Sequence, residues 1–436
     1  MKVIVLGAGI LGTASAWYLA KQGHEVTVVD RQPAAGLETS YANGGQISVS
    51  HAEPWANPAA PFKVLKWLTR DDAPLLFRLH ADPAQWAWGL QFLLECLPSR
   101  TKFNTMQILN LGTYSRQCLQ ELRRETGIEY DHLAKGILHF YTDAREWAAA
   151  IPAAKIMGNF GCEREVISVD RAIEIEPALK SARDKMVGAT YTAADESGDA
   201  HKFTQNLAKL CAQLGVNFHY STTIEALHTK GDKIVGVAVR SADTKTLQTL
   251  VADHYVVAMG SYSPLLLKTI GITIPVYPAK GYSATFSTEG FAGAPVVSLT
   301  DEDYKLVFTR LGNRLRIAGT AELSGYSTEL NSVRCEAITR RAQELFPDSA
   351  DYANPTYWTG LRPATPSNRP LIGRSKFNNL FLNTGHGTLG WTEGCGSGKA
   401  LADIISGRVP EVDFRFLNVD GRAPIVAMPM DKPAAA

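Results

Sequence analysis

The stretch KVIVLGAGILGTASAWYLAKQGHEVTVVD, residues 2–30, decides the fold. A short β-branched run leads into the glycine-rich turn Gly7–Gly12, an Ala-rich helical pattern ends at Gly23, and a second apolar run ends at Asp30. This order of strand, turn, helix and strand is the context in which a G-x-G-x-x-G motif binds a dinucleotide. The glycines admit a pyrophosphate, the helix start offers free N–H groups, and Asp30 stands where an acid meets a ribose hydroxyl.

The composition is that of an ordinary globular protein. Its 436 residues are 45% hydrophobic and 20% charged, and the net charge is +1. This balance indicates no nucleic-acid partner. The six cysteines form no C-x-x-C pair, which argues against a metal site or a disulfide framework. Glycines interrupt the apolar N-terminal run, and no other run is long enough to span a membrane, so we expect a cytoplasmic protein.

The rest of the chain mixes helical and strand patterns. Residues from about 55 to 160 are mostly helical in pattern, whereas KIVGVAV, HYVVAMG and RLRIAGT predict strands. The fold class is therefore α/β, with a Rossmann-like nucleotide-binding domain and a second domain of helices and a mixed or antiparallel sheet. We assign residues 1–58, 196–274 and 360–420 to the first domain, 59–195 and 275–359 to the second, and 421–436 to a C-terminal tail.

The segment GLETSYANGGQISVSHAEPWANP follows the nucleotide motif, where an NAD domain usually continues into another helix and strand. Its small residues, including the run Asn43–Gln46, allow the backbone to lie against a large flat ring. A plain flexible loop explains the same composition equally well. These residues alone leave FAD and NAD open.

One arginine is framed by prolines in GLRPATPSNRPLIG, residues 360–373. Pro363 and Pro366 stiffen the backbone around Arg362, whose planar guanidinium can bind a carboxylate through two hydrogen bonds. A buried structural salt bridge explains the residue equally well. Arg369, in the same stretch, is interpreted as solvated or structural.

A second glycine-rich block, NTGHGTLGWTEGCGSGKALADIISG, follows the apolar run NLFLN. We predict a turn over residues 384–389 and a helix that begins near Thr392, with Thr392 as its N-cap. The N–H groups of such a helix start can stabilise negative charge on a bound ring. A turn that merely packs small residues is the alternative, and both interpretations can hold together.

These blocks, together with TSYANGGQIS, ESGDAHKFT and AKGYS, resemble the FAD-dependent D-amino acid oxidase superfamily over nearly the whole chain, and within it the bacterial D-amino acid dehydrogenases of the small-subunit type. Glu393 departs from the pattern, which has an apolar residue there. The resemblance implies noncovalent FAD and oxidation of a D-alanine-like amino acid to a 2-oxo acid and ammonia. It also implies a quinone or another electron carrier as acceptor, which would suit a place on the inner face of the cell membrane.

The resemblance also assigns residues to the cofactor. FAD is expected at Val3, Gly7, Ala8, Gly9, Ile10, Leu11, Gly12, Asp30, Arg31, Ser40, Asn43, Gly44, Gly45, Gln46, Ile224, Gly260, Gly387, Thr388, Leu389, Gly390 and Thr392. For Ile224 the alternative is a core strand residue, and for Gly260 a turn from strand to helix.

The resemblance places the substrate carboxylate at Arg362. Tyr282, Tyr304 and His51 are further candidates for the substrate pocket, although core packing explains each tyrosine alone and a structural or solvated role explains the histidine. No side-chain base is obligatory, because hydride transfer leaves an iminium and solvent can remove the amine proton. We therefore interpret His386 as structural or solvated as well.

Three further features have two interpretations each. Lys280 is expected to be a surface lysine. Trp86, Trp88, Phe92, Leu93 and Leu94 predict a helix packed within the second domain, with a membrane-surface or quinone-approach element as the alternative. Cys335 and Cys395 are thiols to which a flavin could attach only in principle.

Three other functions remain open from the sequence. The nearest is an oxidase of glycine, sarcosine or another secondary amine that uses O₂. A noncatalytic flavin-binding module belongs to a different class, and an NAD-dependent dehydrogenase is the third. The glycine-rich C-terminal block counts against the last two.

Overall fold

The computed structural model describes residues 1–67, 75–78 and 81–416, and the predicted tail at 421–436 lies outside them. The strands, in chain order, are β1 (Lys2–Leu6), β2 (Glu25–Val29), β3 (Gln46–Ile47), β4 (Leu75–Phe77), β5 (Ile137–Tyr141), β6 (Glu165–Ile167), β7 (Gly188–Thr192), β8 (Glu196–Ser197), β9 (Asn217–His219), β10 (Thr222–Lys230), β11 (Lys233–Ser241), β12 (Leu247–Leu250), β13 (His254–Val257), β14 (Tyr277–Ser287), β15 (Ser298–Asp301), β16 (Leu306–Leu311), β17 (Arg314–Leu323), β18 (Thr356–Ala364), β19 (Leu371–Arg374) and β20 (Leu380–Thr384).

The α-helices pack on these strands. They are α1 (Ile10–Lys21), α2 (Ala60–Trp67), α3 (Pro83–Glu95), α4 (Pro98–Thr126), α5 (Ala144–Gly158), α6 (Val169–Ile175), α7 (Ala200–Gln213), α8 (Ser263–Lys268), α9 (Ser332–Leu345) and α10 (Gly390–Ile405).

A six-stranded sheet carries the nucleotide motif. Its strand order is β19-β20-β13-β1-β2-β9, and all neighbours are parallel except β19 and β20. The apolar run of β1 is buried on both faces, as expected for a central parallel strand. Helices α1, α7 and α10 share one core with this sheet. The predicted Rossmann-like architecture is confirmed.

A nine-stranded sheet forms the second layer of the molecule. Its order is β18-β14-β17-β16-β15-β5-β7-β6, with β4 beside β17, and most neighbours are antiparallel. Helices α6 and α9 cover an apolar face of this sheet. Strands β10, β11 and β12 form a separate antiparallel sheet, and β3 pairs with β8. The predicted mixed or antiparallel second sheet is confirmed.

The position of β18 differs from the predicted boundary. Residues from 360 onward were assigned to the nucleotide domain, but β18 pairs with β14 along its length, so Arg362 lies on the large sheet. The small β19 and β20 then return the chain to the nucleotide sheet. The remaining domain boundaries stay a prediction.

Close approach of the backbone explains one glycine of the motif. A Cβ atom at Gly12 would lie 1.8 Å from the carbonyl oxygen of Gly7, which is far inside van der Waals contact. The first turn of α1 can therefore sit against the end of β1 only because residue 12 has no side chain.

Replacing Gly12 by Ala is expected to lower the free energy of unfolding by about 3 kcal/mol, because the added methyl group forces α1 and β1 apart. Gly89→Ala, in α3, is the matched control, since its Cβ would meet nothing within 4 Å. That control should raise stability by about 0.5–1 kcal/mol, as Ala favours helix over Gly. Urea denaturation of both variants measures the difference, and equal stabilities would contradict the argument.

Candidate active site

A cavity of about 860 Å³ lies where the two large sheets meet. This volume is at the upper end of the range for small-molecule sites. Most residues predicted to contact a cofactor line it: Gly7, Gly9, Ile10, Leu11, Asp30, Arg31, Ser40, Asn43, Gly44, Gly45, Gln46, Ile224, Gly260, Gly387, Thr388, Leu389, Gly390 and Thr392. The fold thus brings together segments that are separated by more than 300 residues.

Three of the predicted cofactor residues lie behind the cavity wall instead. Val3 is buried in β1, where it stands between Val26 and His254, so its predicted contact with a cofactor is wrong. Ala8 and Gly12 shape the turn without lining the cavity. Their role is to let the neighbouring glycines approach a ligand.

Asp30 holds the phosphate-binding turn. Its two carboxylate oxygens accept hydrogen bonds from the N–H of Ala8, at 2.6 Å, and of Gln32, at 2.8 Å. Burial raises the pKa of Asp30, and these two N–H groups act in the opposite direction. Because Asp30 still lines the cavity, a contact with a ribose stays a prediction.

The segment after Asp30 is pinned in place, so the flexible-loop interpretation is wrong. The hydroxyl of Ser40 accepts a hydrogen bond from the N–H of Ile10, at the start of α1, and Thr309 donates to the carbonyl of Gly44 at 2.7 Å. The Gln46 amide donates to the hydroxyl of Ser298 at 3.0 Å. The run Asn43–Gln46 is therefore fixed against the large sheet.

The C-terminal glycine-rich block presents a helix start to the cavity. Helix α10 begins at Gly390, close to the predicted start near Thr392, but Leu389 takes the capping position without a side-chain hydrogen bond, so the prediction of Thr392 as N-cap is wrong. Thr392 instead accepts a hydrogen bond on Oγ1 from the N–H of Ser48. Because Gly390 and Thr392 line the cavity, the N–H groups of this first turn, which have no partner within the helix, lie at its wall.

Arg362 projects from β18 into the same cavity. One of its terminal nitrogens donates to the carbonyl of Thr320 at 2.7 Å, and the other lies 3.5 Å from the carbonyl of Gly319. Within the described part of the chain, no carboxylate pairs with it. Burial, together with the positive charge of Arg334, lowers its pKa to about 10. The structural salt bridge that the sequence left open is therefore not found among these residues.

The backbone is adapted to hold this guanidinium. Thr320 has a φ of +53°, which is rare for a β-branched residue, and the pairing of β14 with β17 is irregular next to it. This irregularity turns the Thr320 carbonyl toward Arg362. On the other side, a Cβ at Gly281 would lie 2.3 Å from the Arg362 Cζ, so only glycine leaves room for the guanidinium.

The structure separates the other substrate candidates. Tyr282 and His51 line the cavity, although the Tyr282 hydroxyl is occupied by a hydrogen bond to the Glu322 carboxylate at 2.7 Å. Tyr304 lies outside the cavity, half exposed, with its ring 4.0 Å from the Arg341 guanidinium. Its assignment to the substrate pocket is therefore wrong, because the turn between β15 and β16 points it toward α9.

The chain matches the FAD dependent oxidoreductase family over residues 2–404. It belongs to that family. It is 60% identical, over 96% of its length and the whole of the relative, to a D-amino acid dehydrogenase of Dechloromonas aromatica, and 52% identical, over 96% of its length and 98% of the relative, to one of Paramagnetospirillum magneticum. L-Proline dehydrogenase from P. horikoshii has the same fold, with a TM-score of 0.72 at 18% identity, covering 94% of each chain. The resemblance and the FAD assignment made from the sequence are confirmed.

The cavity suits the FAD that this family of oxidoreductases uses. The start of α1 offers N–H groups beside the glycine turn, where a pyrophosphate would be held, and the pinned run Asn43–Gln46 offers a flat backbone surface for the ring. The first turn of α10 would meet the pyrimidine edge, where reduced flavin carries negative charge.

The thiols of the flavoprotein are buried. All six cysteines are free and buried among the described residues. Cys335 belongs to the core beneath α9, and Cys395 to the core beneath α10. Neither lines the cavity, which agrees with a noncovalent flavin.

Lys280 and Arg369 of the flavoprotein are both structural. Lys280 is buried and lies 3.5 Å from the Glu322 carboxylate, so the expected surface position is wrong. Glu322 approaches it across β14 and β17, a pairing between residues 42 positions apart that the local sequence does not show. Arg369 is buried with its guanidinium over the Phe103 ring, which agrees with the structural interpretation and not with the solvated one.

The structure confirms only part of the prediction that α3 packs within the second domain. Trp88 and Phe92 are buried and stacked, but the opposite face is exposed. Leu90, Leu93 and Leu94 on that face, and Leu97 just after the helix, are between 52% and 66% exposed, and Trp86 is exposed beside them. The simple packed-helix interpretation is therefore wrong for Trp86, Leu93 and Leu94.

The sequence analysis missed a group of charged residues at the cavity wall of the flavoprotein. Arg164, Glu302 and Lys305 line it, as do Lys63 and Glu146, which form an ion pair with each other. They come from α2, α5 and two loops, and no fixed spacing links them. The run DEDYK, residues 301–305, is the one local signal, since it concentrates charge between two apolar strands.

His139 joins this group from β5. Its two ring nitrogens lie 2.8 Å from Glu302 and 3.0 Å from the Ser50 hydroxyl. Ligand-type atoms of His51, His139 and Glu302 fall within 4.8 Å of one another. Glu302 is, however, already paired with Lys305 and Arg164, so the group is a hydrogen-bonded network rather than a set of metal ligands.

Replacing Gly281 by Ala is expected to displace the Arg362 guanidinium and to leave the residues predicted to bind FAD in place. The affinity for a small carboxylate such as acetate should fall about tenfold to hundredfold, because the bidentate geometry is lost. Titration of acetate against the absorbance of the bound flavin measures this change. Gly89→Ala serves again as the control, and an unchanged acetate affinity in Gly281→Ala would show that carboxylates bind elsewhere.

Proposed function

We propose that the protein oxidises D-amino acids of the D-alanine type to the imino acid, which water then hydrolyses to a 2-oxo acid and ammonia. The relatives at 60% and 52% identity are D-amino acid dehydrogenases, and the alignments span nearly both chains. This similarity supports the substrate class. The D configuration rests on those relatives, since Arg362 alone would hold either enantiomer.

The proposal rests on one observation, which is that Arg362 lines the predicted FAD cavity without a carboxylate partner in the described part of the chain. Arg362 is enclosed, its own chain offers it two carbonyl oxygens, and no carboxylate of the described residues neutralises it. A buried cation of this kind is strongly destabilising unless an anion reaches it. A substrate carboxylate supplies that anion and is oriented by two parallel hydrogen bonds.

Each part of the cavity then has a function in the reaction. When bound, FAD would supply the acceptor for the hydride of the substrate Cα. Arg362 fixes the carboxylate end, and the buried ring of Tyr282 forms part of the wall beside it. The N–H groups in the first turn of α10 would stabilise negative charge at the cavity wall, which would favour the transfer. Enclosure between the two sheets limits water near the reacting carbon.

We propose further that a quinone or a similar carrier takes the electrons, with the protein resting on a membrane surface. The support is the apolar stripe formed by Leu90, Leu93 and Leu94 on α3 and by Leu97 just after it. Phe92, on the inner face of the same helix, lines the cavity, so the stripe and the site lie on opposite sides of α3. Exposed Arg100 and Lys102 flank it and would face anionic lipid. No helix of the described residues has the length and apolarity needed to cross a bilayer.

A purified sample should be yellow, and D-alanine should bleach its flavin without oxygen whereas L-alanine should not. Recovery of the colour in air should be slow and should release little peroxide. The measurement is an anaerobic absorbance titration followed by admission of air. Fast recovery with peroxide would favour an amine oxidase, and a flavin that no amine bleaches would favour a noncatalytic module.

Two matched variants, compared by their KM for D-alanine, test the role of Arg362. Arg362→Lys keeps the charge but loses the planar fork, so KM for D-alanine should rise about hundredfold. Arg369→Lys changes a buried arginine of structural role and should leave KM near that of the parent.

Changing Leu93 and Leu94 to Glu is expected to abolish binding to vesicles of phosphatidylglycerol and phosphatidylethanolamine, since charge on the apolar face opposes insertion. Cosedimentation measures the bound fraction. The control is Leu247→Glu with Val251→Glu, two exposed apolar residues that lie in β12 and directly after it. Equal binding by both variants would disprove the α3 surface, and absence of binding by the parent would disprove membrane attachment.

A further inference from the structure

A continuous hydrogen-bonded chain connects two residues of the cavity wall, His51 and Lys305. From the cavity it runs through His51 Nδ1, Ser48 Oγ, Ser50 Oγ, His139 and Glu302 to the Lys305 ammonium. The successive distances are 2.6, 3.1, 3.0, 2.8 and 2.5 Å. Sequence separations of up to 163 residues are bridged, so the chain is assembled by the tertiary fold.

Glu302 determines which groups donate and which accept along the hydrogen-bonded chain. An ionised carboxylate can only accept, and salt bridges to Lys305 and Arg164 hold the pKa of Glu302 well below its usual range. His139 must therefore donate from Nδ1 to Glu302, which leaves its Nε2 to accept from Ser50. Burial lowers the pKa of His139 to about 4, so its ring stays neutral and keeps this single arrangement.

The orientation of the Ser48 hydroxyl decides the tautomer of His51. Ser50 donates to His139, and the Ser48 proton can point to Ser50, to Asp195 at 3.5 Å, or to His51 Nδ1. When it points to Ser50 or to Asp195, the Ser48 oxygen accepts from His51 Nδ1–H. His51 Nε2 then carries a free lone pair, and it has no hydrogen-bond partner among the described residues.

The segment that carries His51 is tied at both ends to the reaction site. The N–H of Ser48 donates to Thr392 in the first turn of α10, at 3.0 Å, and the N–H of Trp55 donates to Asn368, at 2.9 Å. Asn368 belongs to the block that follows Arg362. His51 lies between these anchors along the chain and lines the same cavity as Thr392 and Arg362.

We propose that His51 is the base that removes a proton from the substrate ammonium before hydride transfer, with its Nε2 kept free for that purpose by the chain from Glu302. The inference rests on the proposed function. In this step an ammonium N–H bond breaks, its electron pair stays on the nitrogen, and the proton moves to His51 Nε2. The lone pair then forms the C=N bond as the Cα hydride leaves for FAD, the oxidant.

The chain also stabilises the charge that His51 gains. Protonated His51 donates from Nδ1 to Ser48, and the negative charge of Glu302 favours the protonated ring. The proton leaves Nε2 for water in the cavity after the product has gone. Ser48, Ser50, His139 and Glu302 are thus positioning residues, because they act through His51.

The charged surroundings set the pH range in which His51 is neutral. Burial lowers its pKa well below the usual value, and the cations nearby add to this. The titratable groups around it are His139, Glu302, Arg164, Lys305, Glu53 and Asp195. The base form is therefore present at neutral pH and is lost only in acid.

The test is stopped-flow flavin reduction by D-alanine as a function of pH in the FAD-loaded protein. His51→Gln keeps a polar side chain without a base, and its limiting rate at pH 7 should fall about 100-fold. Its rate should also rise about tenfold per pH unit as more of the substrate is free amine, whereas the parent levels off near neutral pH. His219→Gln, on β9 outside the cavity, should behave as the parent.

Two further variants separate a base from a structural role. His51→Gly should recover much of its reduction rate when imidazole is added, which a packing defect would not do. Ser48→Ala should lose less than His51→Gln but keep the parent's pH profile. If His51→Gln reduces at the parent's rate, or is slow with an unchanged pH profile and without imidazole rescue of His51→Gly, the proposal is wrong. A parent that no D-amino acid reduces would refute the proposed function instead.

Discussion

The enclosed charge of Arg362 is the constraint around which the site is built. Moving a guanidinium out of water without an anionic partner costs of the order of several kcal/mol. The protein offsets part of this with the Thr320 carbonyl, and does so by accepting a strained φ at that residue. Gly281 leaves room for the guanidinium, and the irregular pairing of β14 with β17 lies next to the Thr320 carbonyl that it contacts. The substrate carboxylate that we propose for Arg362 would therefore complete an arrangement that is already formed.

The parts of the site that the sequence predicted are those in which a few consecutive residues determine the structure. The turn Gly7–Gly12 needs only its two flanking strands and one helix, all within the first 30 residues. Arg362 stood out because Pro363 follows it, and the structure places Pro363 opposite Pro278 in the β14–β18 pair. The two prolines bring no N–H groups to that point of the ladder, and the Pro363 carbonyl is free to accept from Gly387.

The parts that the sequence could not predict depend on pairings between distant residues. Tyr282 and Tyr304 looked alike as candidates, yet the register of β14 against β17 buries one ring and the β15–β16 turn exposes the other. The burial of Lys280 depends in the same way on Glu322 across that pairing. Likewise, His139 and Glu302 acquire their roles only because β5 runs beside β15. Short motifs carry no information about such neighbours.

Glu393 shows how the site tolerates a departure from its family pattern. It replaces an expected apolar residue in the first turn of α10, where it is fully buried, and neither carboxyl oxygen has a hydrogen-bond partner among the described residues. Burial raises the pKa of Glu393 well above its usual range, so the side chain is held as the neutral acid. An ionised carboxylate there would oppose the positive end of the α10 dipole, which we propose stabilises a negatively charged reduced ring. Because the acid is neutral, the electrostatic field at the cavity wall stays that of an apolar residue.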